Sequence, residues 1–218
     1  MDDEKLLYPF YEKLLKAGLV NVCVHKGLYP YSVTKRFPQL LDHADVRDVG
    51  KAAKDWPRLN FIIYDSGFRF TGGEWGNGWA QFEQDGALGL GDRPRRDSRQ
   101  VRGHQVTNVY GDLGQIFAQS TVAEPRLCAA MMGMLVKGLG ADHVVWGTGA
   151  IWAGAPQWQI EALRRLEIHE EMQKKYGFPA LGPPDGPTKR AVFGRELGAA
   201  LQVRRQAPRG AGPTTASR

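Results

Sequence analysis

The sequence predicts an α/β fold built from parallel βα units, and three observations carry that reading. Short apolar runs rich in Val, Ile and aromatic residues alternate with stretches of helical period. Each apolar run ends in a glycine-containing turn that also carries polar residues. The order strand, helix, strand, loop, strand, helix, strand, helix is that of right-handed crossovers on a parallel sheet.

The elements follow in order. Residues 8–17 place Phe10, Leu14 and Leu15 at helical spacing, and Gly18 supplies the stop. Residues 19–24 read as a buried strand ending at His25. A second amphipathic helix is expected over 44–56, with Val46, Val49, Ala53 and Trp56 on one side and Pro57 closing it. Phe61 to Tyr64 form the next strand, ending at Asp65-Ser66-Gly67. The glycine-rich stretch 70–105 sustains neither period and reads as an irregular, insertion-like segment. Val106 to Tyr110 make a short strand leading into Gly111-Asp112-Leu113-Gly114. A helix then runs from Pro125 to about Leu139 along a stripe of Leu127, Met131, Met134 and Leu135, the methionines serving as core filler. The fourth strand is expected at 143–146, ending at Gly147-Thr148-Gly149. Helices follow from Pro156 through Ile160, Leu163 and Leu166, and from His169 to Tyr176, with a turn or two more over 187–193. Beyond Phe193 the Gly, Ala, Pro, Arg and Thr content reads as a disordered basic tail, 194–218.

Composition narrows the function classes. The formal charge is +6, but residues 91–104 carry a local +3 and residues 195–218 a local +4, so the body is close to neutral. Neither basic segment interleaves aromatics with its arginines, which argues against a stacking platform for nucleic acid. The longest apolar stretch, 127–136, is about half a membrane span. The acidic start Met1-Asp2-Asp3-Glu4 lacks the apolar core of a signal peptide, and the expected compartment is the reducing cytoplasm. Cys23 and Cys128 fall in apolar segments and are expected to be buried thiols.

In parallel α/β folds ligands bind at the C-terminal rim of the sheet. The rim residues here are His25, Lys26, Asp65, Ser66, Asp112, Thr148 and Trp152. Lys26, Asp112 and Trp152 are the candidates for contacting a small-molecule substrate, Lys26 through an anionic carboxylate. On their own chemistry Asp65 and Asp112 are suited to accept backbone N–H groups in turns and at helix ends. Trp146, Trp152 and Trp158 read as core and rim packing, and His43, His104 and His169 as solvated surface.

Three segments carry a family resemblance: Asn21-Val22-Cys23-Val24-His25-Lys26-Gly27, Leu59 to Gly67, and His143-Val144-Val145-Trp146-Gly147-Thr148-Gly149-Ala150, supported by Pro156 to Leu163. Together they resemble strands five to eight of the amidohydrolase superfamily, closest to its amidohydrolase-related (amidohydrolase-2) branch. The resemblance implies a partial TIM barrel over 1–193, about half of the eight-stranded whole. It also implies metal-dependent hydrolysis, or decarboxylation, at a carbonyl or carboxyl centre by metal-activated water. The implied ligands of a zinc-like ion are a His-x-His pair, histidines ending strands five and six, and an aspartate ending strand eight. His25 stands at the strand-five position and Asp65 at the strand-six position, so these two are the candidate metal ligands. Gly149 stands where the aspartate belongs, and no two of the five histidines are spaced as His-x-His. A zinc site needs three or four protein donors. The expectation is therefore a degenerate site, inactive in this chain by itself, or a non-catalytic binding or regulatory module using the same rim. A half-barrel exposes sheet edges, which leads to the expectation of a homodimer or a complementing half-barrel.

Overall fold

The computed structural model describes residues 1–27, 35–39, 43–68, 78–85, 106–194 and Leu201. Four strands form one sheet: β1 (Asn21–His25), β2 (Asn60–Tyr64), β3 (Val109–Asp112) and β4 (Val144–Val145). They lie side by side in chain order and all pair in parallel. Nine helices accompany them among the described residues: α1 (Tyr8–Lys16), α2 (Val49–Asp55), α3 (Gly78–Asp85), α4 (Gly114–Ala123), α5 (Pro125–Leu139), α6 (Ala150–Ala153), α7 (Pro156–Arg165), α8 (Glu170–Tyr176) and α9 (Pro187–Val192).

Local chemistry explains most of the boundaries. α1 stops at Gly18, whose φ of +73° suits a residue without a Cβ. There the Leu19 N–H reaches back to the Leu14 carbonyl at 2.9 Å, closing the last turn. Prolines open α5, α7 and α9 at positions where a missing N–H costs nothing.

The register fixes two faces. Val22, Phe61 and Val109 share a level, as do Val24, Ile63, Gly111 and Val144. These residues point to the helices. Phe61, Ile63 and Val109 are buried with Tyr11, Val49, Ala52, Ala53 and Leu59 from α1, α2 and their connections. Edge-on ring contacts tie this packing together, Tyr11 to Phe61 at 5.7 Å and Tyr11 to Trp56 at 5.6 Å between centroids. Val144 lies in a second cluster with Leu113, Ile116 and Phe117 around α4, and Leu127, Met131, Met132 and Leu135 of α5. Phe82 brings α3 onto the same cluster through Tyr176, 4.8 Å away.

The alternate residues make the opposite face: Asn21, Cys23 and His25 of β1, Ile62 and Tyr64 of β2, Tyr110 and Asp112 of β3, and Val145 of β4. Its β1 side is exposed, with Asn21, Cys23 and His25 open and Tyr64 42% accessible. On this face Ile62, Tyr110 and Val145 pack against Leu201.

Several expectations change. The first strand is half-exposed rather than buried, because its residues alternate between the two faces. Cys23 is exposed, whereas Cys128 is buried as expected. α2 is shorter than 44–56, beginning at Val49. The third strand lies at 109–112, not 106–110, and the fourth is two residues long. Helix α4 was not anticipated, nor was α6. Within the stretch read as irregular, 78–85 form α3; the remainder of 70–105 lies outside the described residues, as does the expected tail apart from Gly194 and Leu201. Among the described residues no helix is long and apolar enough to cross a membrane.

Candidate functional site

The C-terminal strand ends gather His25, Asp65 and Asp112. Directly after β2 the backbone turns through two non-glycine residues with positive φ, Asp65 at +51° and Ser66 at +52°. Left-handed conformations cost about 1–2 kcal/mol per residue, so the surroundings must hold them. The Ser66 hydroxyl donates to the Asp112 carbonyl at 2.8 Å, and the Ile116 N–H donates to Asp65 Oδ1 at 3.1 Å. Asp65 thus serves as a cap for α4, supplied from another element, and its negative charge suits the helix's N-terminal end. Its other oxygen, Oδ2, lies 3.7 Å from His25 Nε2.

Asp112 stands beside Asp65. Both carboxylates press against the place where a Cβ on Gly114 would lie, Asp65 Oδ1 at 2.5 Å and Asp112 Oδ2 at 2.9 Å from it. A Cβ on Gly147 would run into Asp112 Oδ1. Glycine at 114 and 147 therefore makes the room that the two acids occupy. Burial pushes the Asp112 carboxyl up to about 6, reinforced by the neighbouring Asp65 charge and opposed by a hydrogen bond from the Asp65 backbone. This carboxyl is half-protonated near pH 6 and mostly ionised at neutral pH, so Asp112 can accept a proton from a bound ligand under mildly acidic to neutral conditions.

Gly149 lies at the same rim. Its φ is +55°, and a Cβ there would meet the backbone N and Cα of Gln115 at 3.1 Å. Position 149 thus adjoins the α4 terminus capped by Asp65, and an aspartate would be strained in this backbone. The other rim residues are placed differently. Lys26 is 4% exposed, with its ammonium held by Asp48 Oδ2 and the His43 carbonyl, each at 2.8 Å. Its charge is spent inside the fold, not offered to a substrate carboxylate. Trp152 on α6 is 80% exposed and belongs to no core cluster, contrary to its reading as packing; Trp158 is also exposed, whereas Trp146 packs between Phe117 and Phe193. His43 and His169 are exposed, as their polar settings predict, and His104 lies outside the described residues.

Sequence reasoning placed Gly114 and Gly147 in the strand-end turns but missed that they make room for the carboxylate pair, and it missed Ile116, whose N–H fixes Asp65. The signal available was a glycine two residues beyond the end of β3 at Asp112 and of β4 at Val145. It also missed Tyr110, whose ring stacks on His143 with centroids 4.7 Å apart.

The donors at this rim do not fit a hydrolytic zinc ion. One Asp65 oxygen is committed to the Ile116 N–H, and His25 with Asp65 falls short of the three or four protein donors a zinc site takes. Among the described residues no group of three or more His, Cys, Asp and Glu stands where it could hold a metal ion. Comparison with known protein families, curated proteins and solved structures returns no match to this chain.

Proposed function

We propose that this chain is the C-terminal half of an amidohydrolase-type barrel whose rim binds a small molecule without a catalytic metal. The observation that carries the reading is the one-sided sheet. Among the described residues, helices pack on one face of four parallel strands in chain order, as around a barrel, while a doubly wound sheet is covered by helices on both. The polar groups collect at the C-terminal strand ends, where barrels bind their ligands. His25, Asp65 and Asp112 are the binding residues, and the fitting ligand is a small polar molecule with hydrogen-bond donors for two acids. The resemblance supplies the hydrolase ancestry; the loss of the strand-eight carboxylate at Gly149 removes the proton acceptor that hydrolysis would use.

Metal analysis of the purified chain, together with thermal unfolding against a set of small amines, amides and amino acids, tests the reading. We expect substoichiometric zinc and manganese, no effect of chelators on Tm, and a ligand-dependent rise in Tm that Asp65→Asn and Asp112→Asn abolish. One firmly held metal ion per chain, with hydrolysis that chelators abolish, would overturn it in favour of a working metallohydrolase.

A further inference from the structure

The two edges of the sheet are finished differently. At the β4 edge the Val145 carbonyl accepts from the Leu113 N–H of the β3 side, so the Trp146 N–H points outward, and it donates to the Val192 carbonyl of α9 at 3.1 Å. Among the described residues the β1 edge has no such cap. The Asn60 N–H donates to the Val20 carbonyl, and with Val22 level with Phe61 this turns the main chain of Val20, Val22 and Val24 toward β2. The N–H and C=O groups of Asn21 and Cys23 therefore point out of the sheet, and no described main-chain group meets them. Open edges of this kind template strand pairing, and natural proteins guard them with lysine, proline or inward-pointing charge. Asn21-Val22-Cys23-Val24-His25 has no lysine, proline or acid, and Asn21, Cys23 and His25 are exposed.

Beside this edge lies an exposed apolar flank of α1. Leu7, Tyr11, Leu14 and Leu15 pack into the core, and Tyr8 turns toward α2, its hydroxyl 3.1 Å from Lys51 Nζ. Leu6 and Phe10 stand two residues either side of Tyr8, roughly 160–200° round the helix. They therefore face away from α2, beyond β1, and are 75% and 49% exposed; Leu19, just before β1, is 55% exposed. We propose that a second copy of this chain covers both features at once, β1 pairing antiparallel with its counterpart about a two-fold axis at Cys23 while α1 packs on its counterpart. Such a contact is self-complementary, as a two-fold interface must be. Register about Cys23 overlaps all five strand residues and sets His25 against Asn21, so no like charges meet. α1 lies over β1 and β2, since Tyr11 meets Phe61 at 5.7 Å and Val22 and Val24 join the same cluster. Its counterpart then lies two strand spacings away, about 10 Å, an ordinary helix-packing distance that brings the two Leu6–Phe10 flanks together. Closing two copies into a barrel would instead bring β1 to the β4 edge, where Val192 already holds Trp146. The inference needs only the β1 edge and α1, and stands apart from the reading of the rim.

Cys128 is buried, so labelling or oxidation of the intact chain reads out Cys23. Hydrogen-bonded antiparallel partners sit about 5.5 Å apart at Cα, inside the span that a disulfide bridges. Sedimentation equilibrium of the wild-type chain should show a reversible dimer at micromolar concentration, and mild oxidation with copper–phenanthroline should link the two copies through Cys23. Phe10→Lys changes an exposed residue outside the core, and Cys23→Pro removes an outward N–H but no bond to β2. Each should weaken dimerisation about tenfold or more. Val122→Lys, at an exposed residue on α4, should leave it unchanged. A wild-type chain that stays monomeric up to about 0.1 mM overturns the proposal. So does a dimer that forms no Cys23 link, or one indifferent to Phe10→Lys, because another surface then joins the copies.

Discussion

The two faces of this sheet are made by alternate residues of the same four strands, yet they are packed in different ways. On the helix side, Phe61 and Ile63 are sealed by α1 and α2, and Val144 by α4 and α5. On the other side the β1 positions are open, and Leu201 is the residue seen against the β2–β4 positions. Strand residues alternate between faces with a period of two, so burial on one side says nothing about the other. The contrast separates apolar packing from polarity: the helix side holds the core, while the other side and its rim carry the polar groups.

The largest effect that would break this contrast is expected at Phe61. Phe61→Ala empties a fully buried site between two helices and a strand, and should lower unfolding free energy by about 3–5 kcal/mol in urea denaturation. Cys23→Ala, at the neighbouring β1 position on the open face, should cost less than about 1 kcal/mol. If the two costs are equal, the open face is as tightly packed as the helix side and the contrast fails.

Asn108 comes next. Its amide nitrogen lies within hydrogen-bond distance of the carbonyls of Ala53 (3.1 Å), Trp56 (3.2 Å) and Leu59 (2.7 Å), joining the end of α2 and the entry to β2 to the start of β3. Asn108→Ala leaves those buried carbonyls short of a donor and should cost about 2 kcal/mol or somewhat more, measured by the same denaturation. Because Asn108 serves the helix side alone, Cys23 labelling should not change below the unfolding transition; a change there would show that the two faces are coupled.

A smaller and more local effect is expected at Gly147. Gly147→Ala drives a methyl into Asp112 Oδ1, so the carboxyl must swing away from Asp65. The cost should be about 1–2 kcal/mol, with a shift in the Asp112 carboxyl resonance that Gly138→Ala, where nothing lies near the added methyl, does not produce.

How much of this was legible in the sequence follows from which physical signal each feature leaves. α5 and α7 were readable because proline, a helical stripe and a polar face coincide in a single segment. β2 was readable as a run of Phe and Ile, but the exposure of β1 was not, since Val22 and Val24 alternate with Asn21 and Cys23 and the half-apolar pattern passes for a buried strand. α4 was missed because it begins with glycine and its buried residues, Ile116, Phe117 and Ser120, mix with Gln and Thr. Asp65 was legible as a turn or cap acid, and it does cap a helix, though one that starts 49 residues later. No spacing rule shows a cap supplied across a sheet. The burial of Lys26 was hidden for the same reason: its partner, Asp48, is 22 residues away.

The smallest expected effect is the most specific to the rim. The Asp112 carboxyl is held up at about 6 in the fold and returns to its ordinary value near 3.8 when the chain unfolds. Between those values the folded chain binds a proton that the unfolded chain releases. The stabilising contribution is therefore complete below about pH 4 and is lost as pH rises through about 6. Water reaches this partly buried carboxyl, which reduces the contribution to about 1 kcal/mol. Facing it are Asp65, whose charge reinforces the rise, and beyond Asp65 the His25 imidazole. Subtracting the stability of Asp112→Asn from that of the wild type removes what other groups contribute to the pH dependence. The difference should fall by about 1 kcal/mol between roughly pH 4.5 and pH 7.5. A difference that stays flat, or rises with pH, would mean that the acid is solvated and that the rim offers no desolvated carboxyl for a ligand to meet.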